Sequence, residues 1–331
     1  MALLIRRLFV ALSLAGVVVA TVVVLTRNGQ AADALLALPL GNHMAALATM
    51  LAEATLRGVR FVVLAAVMGF PVPLATSTLS QLAGDGGGAV TPGRSGADPC
   101  KALILHRRGV RGGHIGALLV GEALAEAVLL PVCAAVLALT LDVPLAALSG
   151  PLAWSLVALT IVGFAVRLAP SHDATAPRFL QRFGVHGARW ERIVRVAADF
   201  REAAGALQHI RALPLALLAF ATVGHIAARL LVLPALAGPA TVLASPEALV
   251  AWPFFLLYGG SLIPAPGGAG LIEAGFVTMV GDHLPAAQVG AFAFWWRVYT
   301  FHLPAALGWI VLVLTRRGEG ALGGAFDLDG M

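Results

Sequence analysis

Several ionisable residues stand at helical spacing inside stretches that are otherwise apolar. Glu122 and Glu126 lie one turn apart, His225 and Arg229 repeat that interval in a later stretch, and Arg297 occupies a third with His302 below it. Glu273 follows a run of glycines and prolines from Gly259 to Gly275. A charge placed in hydrocarbon costs roughly 2.5 to 3.5 kcal/mol on insertion scales, so such residues read first as function. The chemistry they suit is anion binding. Arg229 and Arg297 would grip a lipid phosphate through their guanidinium forks, with Glu122 or Glu273 as counter-ions. The competing reading is that these charges pair with one another to fix helix packing, and for Glu126 and His225 the two readings are equal.

Other chemistries find no footing. His225, His283 and His302 are scattered, with no His-x-x-x-His or Cys-x-x-Cys spacing for a metal. There is no Gly-x-Ser-x-Gly nucleophile elbow. Pro92-Gly93-Arg94-Ser95-Gly96 is glycine-rich but lacks the Gly-Lys-Ser/Thr of a phosphate loop. Cys100 and Cys133 are too few for a disulfide framework. No catalytic set, metal or cofactor is expected, which favours a transporter over an enzyme.

The elements that position these residues must be membrane helices. The 331 residues are 59% hydrophobic and only 12% charged, with a mean hydropathy of +0.90, so the solvent for much of the surface is lipid. The formal charge of +5 raises nucleic acid as a partner, but the basic residues gather in short clusters between apolar spans and act as topology signals. Lys101 is the only lysine.

With about 20 apolar residues per crossing, the clearest spans are Leu8 to Thr26, Ile115 to Leu141, Leu152 to Leu168, Leu213 to Leu236 and Val289 to Leu314. Leu8 to Thr26 is too long for a cleaved signal segment and reads as a retained anchor. The clusters around Lys101 to Arg111, Arg178 to Arg211 and Arg316 with Arg317 place those loops, and both termini, in the cytoplasm of a bacterial inner-membrane protein. Glu53, Arg57 and Arg60 read as a helix end whose long side chains reach the interface.

Two segments fit no simple crossing. The charge tally makes Ala237 to Ala286 leave and re-enter one side, with Pro264 at the tip of a hairpin, and gives a second hairpin from Pro71 to Lys101. Broken backbone at membrane depth is tolerated only inside protein or beside a wet cavity. Gly87-Gly88-Ala-Val-Thr-Pro92 parallels Gly259-Gly260-Ser-Leu-Ile-Pro264 at an offset of 172 residues, which points to an internal repeat with a site between its halves. Gly267, Gly268 and Gly270 would let backbone approach a ligand closely. Between the halves, Trp190, Ile193, Ala197, Phe200, Ala204 and Leu207 mark one apolar face of a helix in the head-group plane.

The expected fold is an all-α polytopic membrane protein of about six to eight helices with two broken hairpins, organised as one integral membrane domain. Its first half runs to about residue 169, an amphipathic cytoplasmic linker covers 170–211, a second half covers 212–317, and an exposed tail follows from 318.

Pro264-Ala-Pro-Gly267-Gly268-Ala-Gly270-Leu-Ile-Glu273-Ala274 resembles the second-half signature of the lysylphosphatidylglycerol synthase transmembrane region, or flippase-like, family. Pro92-Gly-Arg94-Ser-Gly96 with Asp98 and Lys101 is similar to that family's first-half segment, although Asp98 comes one residue late. Trp295-Trp296-Arg297-Val298-Tyr299 resembles the aromatic-flanked arginine of its final helix. Glu122 matches its acidic residue, but Ala123 stands where an arginine often follows. The resemblance implies lipid-binding roles for Arg94, Asp98, Lys101, Glu122 and Arg297, and lipid translocation as the activity, without the soluble aminoacyl-transferase domain of full lipid-lysylating enzymes. A membrane subunit of a lipid-modifying transferase, docking a soluble enzyme on its cytoplasmic loop, is the rival; a non-catalytic scaffold is the third reading.

Overall fold

In the computed structural model of the protein, the structure describes residues 35–141, 148–168, 181–182, 187–238, 245–259, 266–268, 270–286 and 288–321. The expected span Leu8 to Thr26, the tip at Pro264, most of the chain between Leu168 and Gly187, and the tail beyond Ala321 lie outside these residues. The described chain is 87% helical without strands, which makes the fold all-α.

Helix α1 is Leu40–Val67; α2 is Leu74–Ala89 and α3 is Ala97–Arg107, joined by a 3₁₀ turn at Pro92–Arg94. Then come α4 (Gly112–Thr140), α5 (Ser149–Leu168), α6 (Ala188–Leu207), α7 (Ala212–Leu230) and its short continuation α8 (Val232–Ala237). A π-helical turn at Glu247–Ala251 leads into α9 (Trp252–Gly259), a 3₁₀ turn at Pro266–Gly268 precedes α10 (Leu271–Met279), and α11 (Val289–Arg297) runs through a π-helical turn at Val298–His302 into α12 (Leu303–Ala321).

Three of these stretches, Gly112–Thr140, Ala212–Ala237 and Val289–Thr315, are long and apolar enough to cross a membrane, and Ser149–Ile161 and Glu247–Gly259 are shorter apolar helices. At 1.5 Å per residue the first is about 43 Å long, ample for a hydrocarbon core of about 30 Å. Large apolar side chains such as Leu139, Leu156, Phe164, Leu213 and Phe220 point outward. In water that pattern would drive aggregation; in lipid it is the expected surface.

Inside, small residues allow close helix contact where lipid supplies no hydrophobic drive. Gly86 of α2 meets the backbone of Gly308 in α12, and Gly58 of α1 meets Thr78 of α2. α2 and α3 run back along each other, Gly84 beside Lys101 and Gly87 beside Cys100, so the first expected hairpin is a helical pair closed by the Pro92–Arg94 turn.

Three expectations need correction. Glu53, Arg57 and Arg60 are not at a helix end; they sit in the middle of the 28-residue α1, buried. Hydropathy could not show this, because Asp85, Glu122, Glu126 and Arg229, which also pair with them, lie on other helices. The amphipathic helix turns its predicted face, Ala197, Phe200, Ala204 and Leu207, against α4 and the core beside it, but Val194 and Ala203 are buried there too while Ile193, expected on that face, is exposed. Finally, the two 3₁₀ turns that touch begin at Pro92 and Pro266, two residues off the register of the echo at offset 172, whose second half beyond Gly259 lies outside the described residues.

Candidate functional site

The two turns share a backbone signature. Gly93 has φ 55° and ψ 24°, Gly267 has φ 60° and ψ 11°, and the next residue in each, Arg94 at φ 56° and Gly268 at φ 67°, is also left-handed. Arg94 is the single non-glycine residue with positive φ among the described residues. That conformation costs an L-residue about 1–2 kcal/mol, and strain of this kind gathers at functional sites. Thr91 locks the first turn: its hydroxyl donates to the Gly87 carbonyl at 3.0 Å and accepts from the Gly96 N–H at 2.8 Å.

Between the turns lies a cavity of about 280 Å³ walled by α1, α2, α3, α4, α7, α9 and the last long helix. Three charged assemblies build its wall. In the first, Arg94 donates to Asp85 at 2.8 Å, Asp85 accepts from Arg57 at 2.5 Å, and Arg57 pairs with Glu53 at 3.1 Å. Glu53 also faces Arg229 at 3.9 Å, and Arg229 donates to the Thr300 carbonyl at 3.1 Å.

In the second, Glu122 accepts from Lys101 at 2.7 Å, from Gln81 at 3.0 Å and from Arg60. Arg60 further donates to Glu126 at 2.8 Å and to His225 at 3.0 Å, and Lys101 pairs with exposed Asp98 at 3.3 Å. In the third, Arg297 donates through Nε to Glu273 at 2.7 Å and through Nη2 to the Gly267 carbonyl at 2.8 Å. Glu273 accepts from the Gly270 N–H at 2.7 Å, and the Arg297 guanidinium lies 4.4 Å from the centre of the Phe301 ring.

The predicted residues therefore divide. Arg94, Asp98, Lys101, Glu122, Arg229, Gly267, Gly268 and Arg297 line the cavity together. Gly270 and Glu273 do not; they stand behind Arg297 and hold it. The expected counter-ion scheme is also revised: Glu273 serves Arg297, but Arg229 faces Glu53, and Glu122 serves Arg60 and Lys101.

Sequence reasoning missed Glu53, Arg57, Arg60, Asp85, Gln81 and Tyr258. The i,i+4 spacing of Glu53 and Arg57, and a lone carboxylate at Asp85 amid small residues, were the available signals.

The arrangement favours anions. Five cationic side chains line the cavity, namely Arg57, Arg94, Lys101, Arg229 and Arg297, against three carboxylates, Asp98, Glu122 and Glu126. Asp85, Glu53 and Glu273 are set behind the arginines they orient. Tyr258 and Gln81 add buried polar atoms, the Tyr258 hydroxyl and Gln81 Oε1, that have no hydrogen-bond partner. A buried polar atom left unmatched is costly, and a ligand in the cavity would relieve it.

These features define an all-helical, multi-pass membrane protein with a charged central cavity. The chain belongs to the lysylphosphatidylglycerol synthase TM region family, whose match covers residues 8–308. It is thus a membrane protein related to lipid handling. Taken one by one, no curated protein matches it.

Proposed function

We propose that the protein binds the phosphate-bearing head group of a phospholipid or lipid-linked intermediate in the cavity and moves it between leaflets. The observation that carries this reading is the excess of lining cations over lining carboxylates between two touching backbone breaks. A volume of about 280 Å³, just under the ~300–1,000 Å³ of sites that enclose whole drug-sized ligands, suits a head group alone. Acyl chains would remain in the bilayer. Arg94, Arg229 and Arg297 supply guanidinium forks for phosphate oxygens, and Lys101 a point charge.

In this reading the protein sits in the bacterial inner membrane with both termini in the cytoplasm, and the two hairpins re-enter the membrane to meet near its midplane. Exposure of the cavity first to one side and then to the other is the transport step.

The test is leaflet exchange of acyl-chain-labelled fluorescent phosphatidylglycerol and of a polyprenyl-linked lipid in reconstituted vesicles. Exchange above the protein-free rate supports the reading. Equal rates with and without protein, for both lipids and under imposed proton gradients, refute it.

A further inference from the structure

One group at the cavity is poised for a different ligand. His225 is buried on α7, and its Nε2 lies 3.0 Å from Nη1 of Arg60. A guanidinium only donates, so Nε2 is the acceptor and the ring is neutral with its proton on Nδ1. That Nδ1 is itself buried without a hydrogen-bond partner.

Carboxylate and cation both stand within reach. Glu126 Oε1 is 3.8 Å from Nε2, and among the buried ion pairs around α1 its side chain is the more open one, 24% exposed against 7% for Glu122. The groups around His225 are Arg57 and Arg60 from α1, Lys101 from α3, Glu122 and Glu126 from α4, Arg229 on its own helix and Tyr258 from α9. Four of these are cations and two are carboxylates.

We propose that His225 and Glu126 form a proton-binding site whose occupancy is coupled to the anionic head group in the cavity. An anion docked among Arg94, Arg229 and Arg297 offsets the surrounding positive field. A proton then passes from cavity water by way of Glu126 to His225 Nε2. The new N–H turns to Glu126, and Arg60 gives up one hydrogen bond while keeping Glu122 and Glu126. The wall gains one positive charge, which strengthens the hold on the anion. Linkage makes the effect reciprocal: the anion raises proton affinity by the factor by which the proton raises anion affinity. A proton gradient would then bias lipid movement. The inference rests on the reading of the cavity as a head-group site.

The experiment uses the full chain, with ¹⁵N-labelled histidine, in phosphatidylcholine nanodiscs. His225 signals are assigned by their loss in His225→Gln. The probe is glycerophosphoglycerol, a phosphodiester that does not itself titrate near neutrality.

The expected result is the Nδ1–H tautomer without probe. With probe, the ring should charge at about a tenfold lower proton concentration, within the usual range of coupling between sites. Probe affinity should in turn rise on acidification in wild type and stay flat in His225→Gln. An Nε2–H tautomer, or the same titration midpoint with and without probe, overturns the proposal. Failure of the transport reading has a separate signature, absent leaflet exchange with the His225 response intact.

Discussion

Arg297 Nε donates to Glu273 Oε1 at 2.7 Å, and both side chains are almost fully buried. Because Glu273 also accepts from Gly270 and Arg297 also donates to Gly267, this one pair ties the second backbone break to the last long helix. Removing one partner leaves a buried charge uncompensated, at about 3–5 kcal/mol. Glu273→Gln should therefore lower unfolding stability in detergent by several kcal/mol. The double variant Glu273→Leu with Arg297→Met should recover most of that loss and still fail to exchange lipid. Additive losses when Glu273→Leu and Arg297→Met are each compared with that double variant would show that the pair is not coupled.

Arg94 offers a way to separate strain from charge. It holds a left-handed backbone, so Arg94→Gly should be more stable than Arg94→Ala by about 1–2 kcal/mol. Both variants remove the guanidinium and should slow lipid exchange equally. Equal stabilities would mean that the turn relaxes without its positive φ.

The contact between α2 and α12 depends on two glycines. A Cβ on Gly308 would run into the Leu82 carbonyl and Gly86, so Gly308→Ala should cost about 1–3 kcal/mol as an overpacking change. Gly163→Ala, on exposed α5 with open space around it, should instead stabilise by up to about 1 kcal/mol. Thermal unfolding of the two variants side by side checks the pair.

Topology is open to labelling. With Cys100 and Cys133 replaced by serine, single cysteines at Arg108 and Arg192 should react with a membrane-impermeant maleimide only after cells are permeabilised. Both positions are exposed, so burial does not mask the result. Labelling of intact cells would invert the proposed orientation.

The membrane class and most helices were legible because long apolar runs leave few alternatives. Gly112–Thr140 differs from its predicted span by a few residues, and Ala212–Ala237 and Val289–Thr315 agree as closely. The cavity arginines at 229 and 297 were legible because a charge in hydrocarbon stands out. The α1 charges were not, since Glu53, Arg57 and Arg60 look like an interface until Asp85, Glu122, Glu126 and Arg229 from three other helices are folded against them. Glu273 is legible as a counter-ion and pairs with Arg297, but its second oxygen is taken by the Gly270 amide, so it stands behind the cavity wall and not on it. Spacing along one chain shows that a charge exists, and only the fold shows which charge it faces.

Movement of a phospholipid head group through the cationic cavity is read by the leaflet-exchange rate of fluorescent phosphatidylglycerol in vesicles carrying wild type, Arg229→Ala or no protein. Arg229 is chosen because its nearest carboxylate, Glu53, also pairs with Arg57, so its loss leaves that carboxylate balanced. Wild type should exceed the protein-free rate at least tenfold, and Arg229→Ala should fall most of the way back while folding normally. Exchange by wild type no faster than in empty vesicles, or undiminished exchange by a folded Arg229→Ala, would contradict the account.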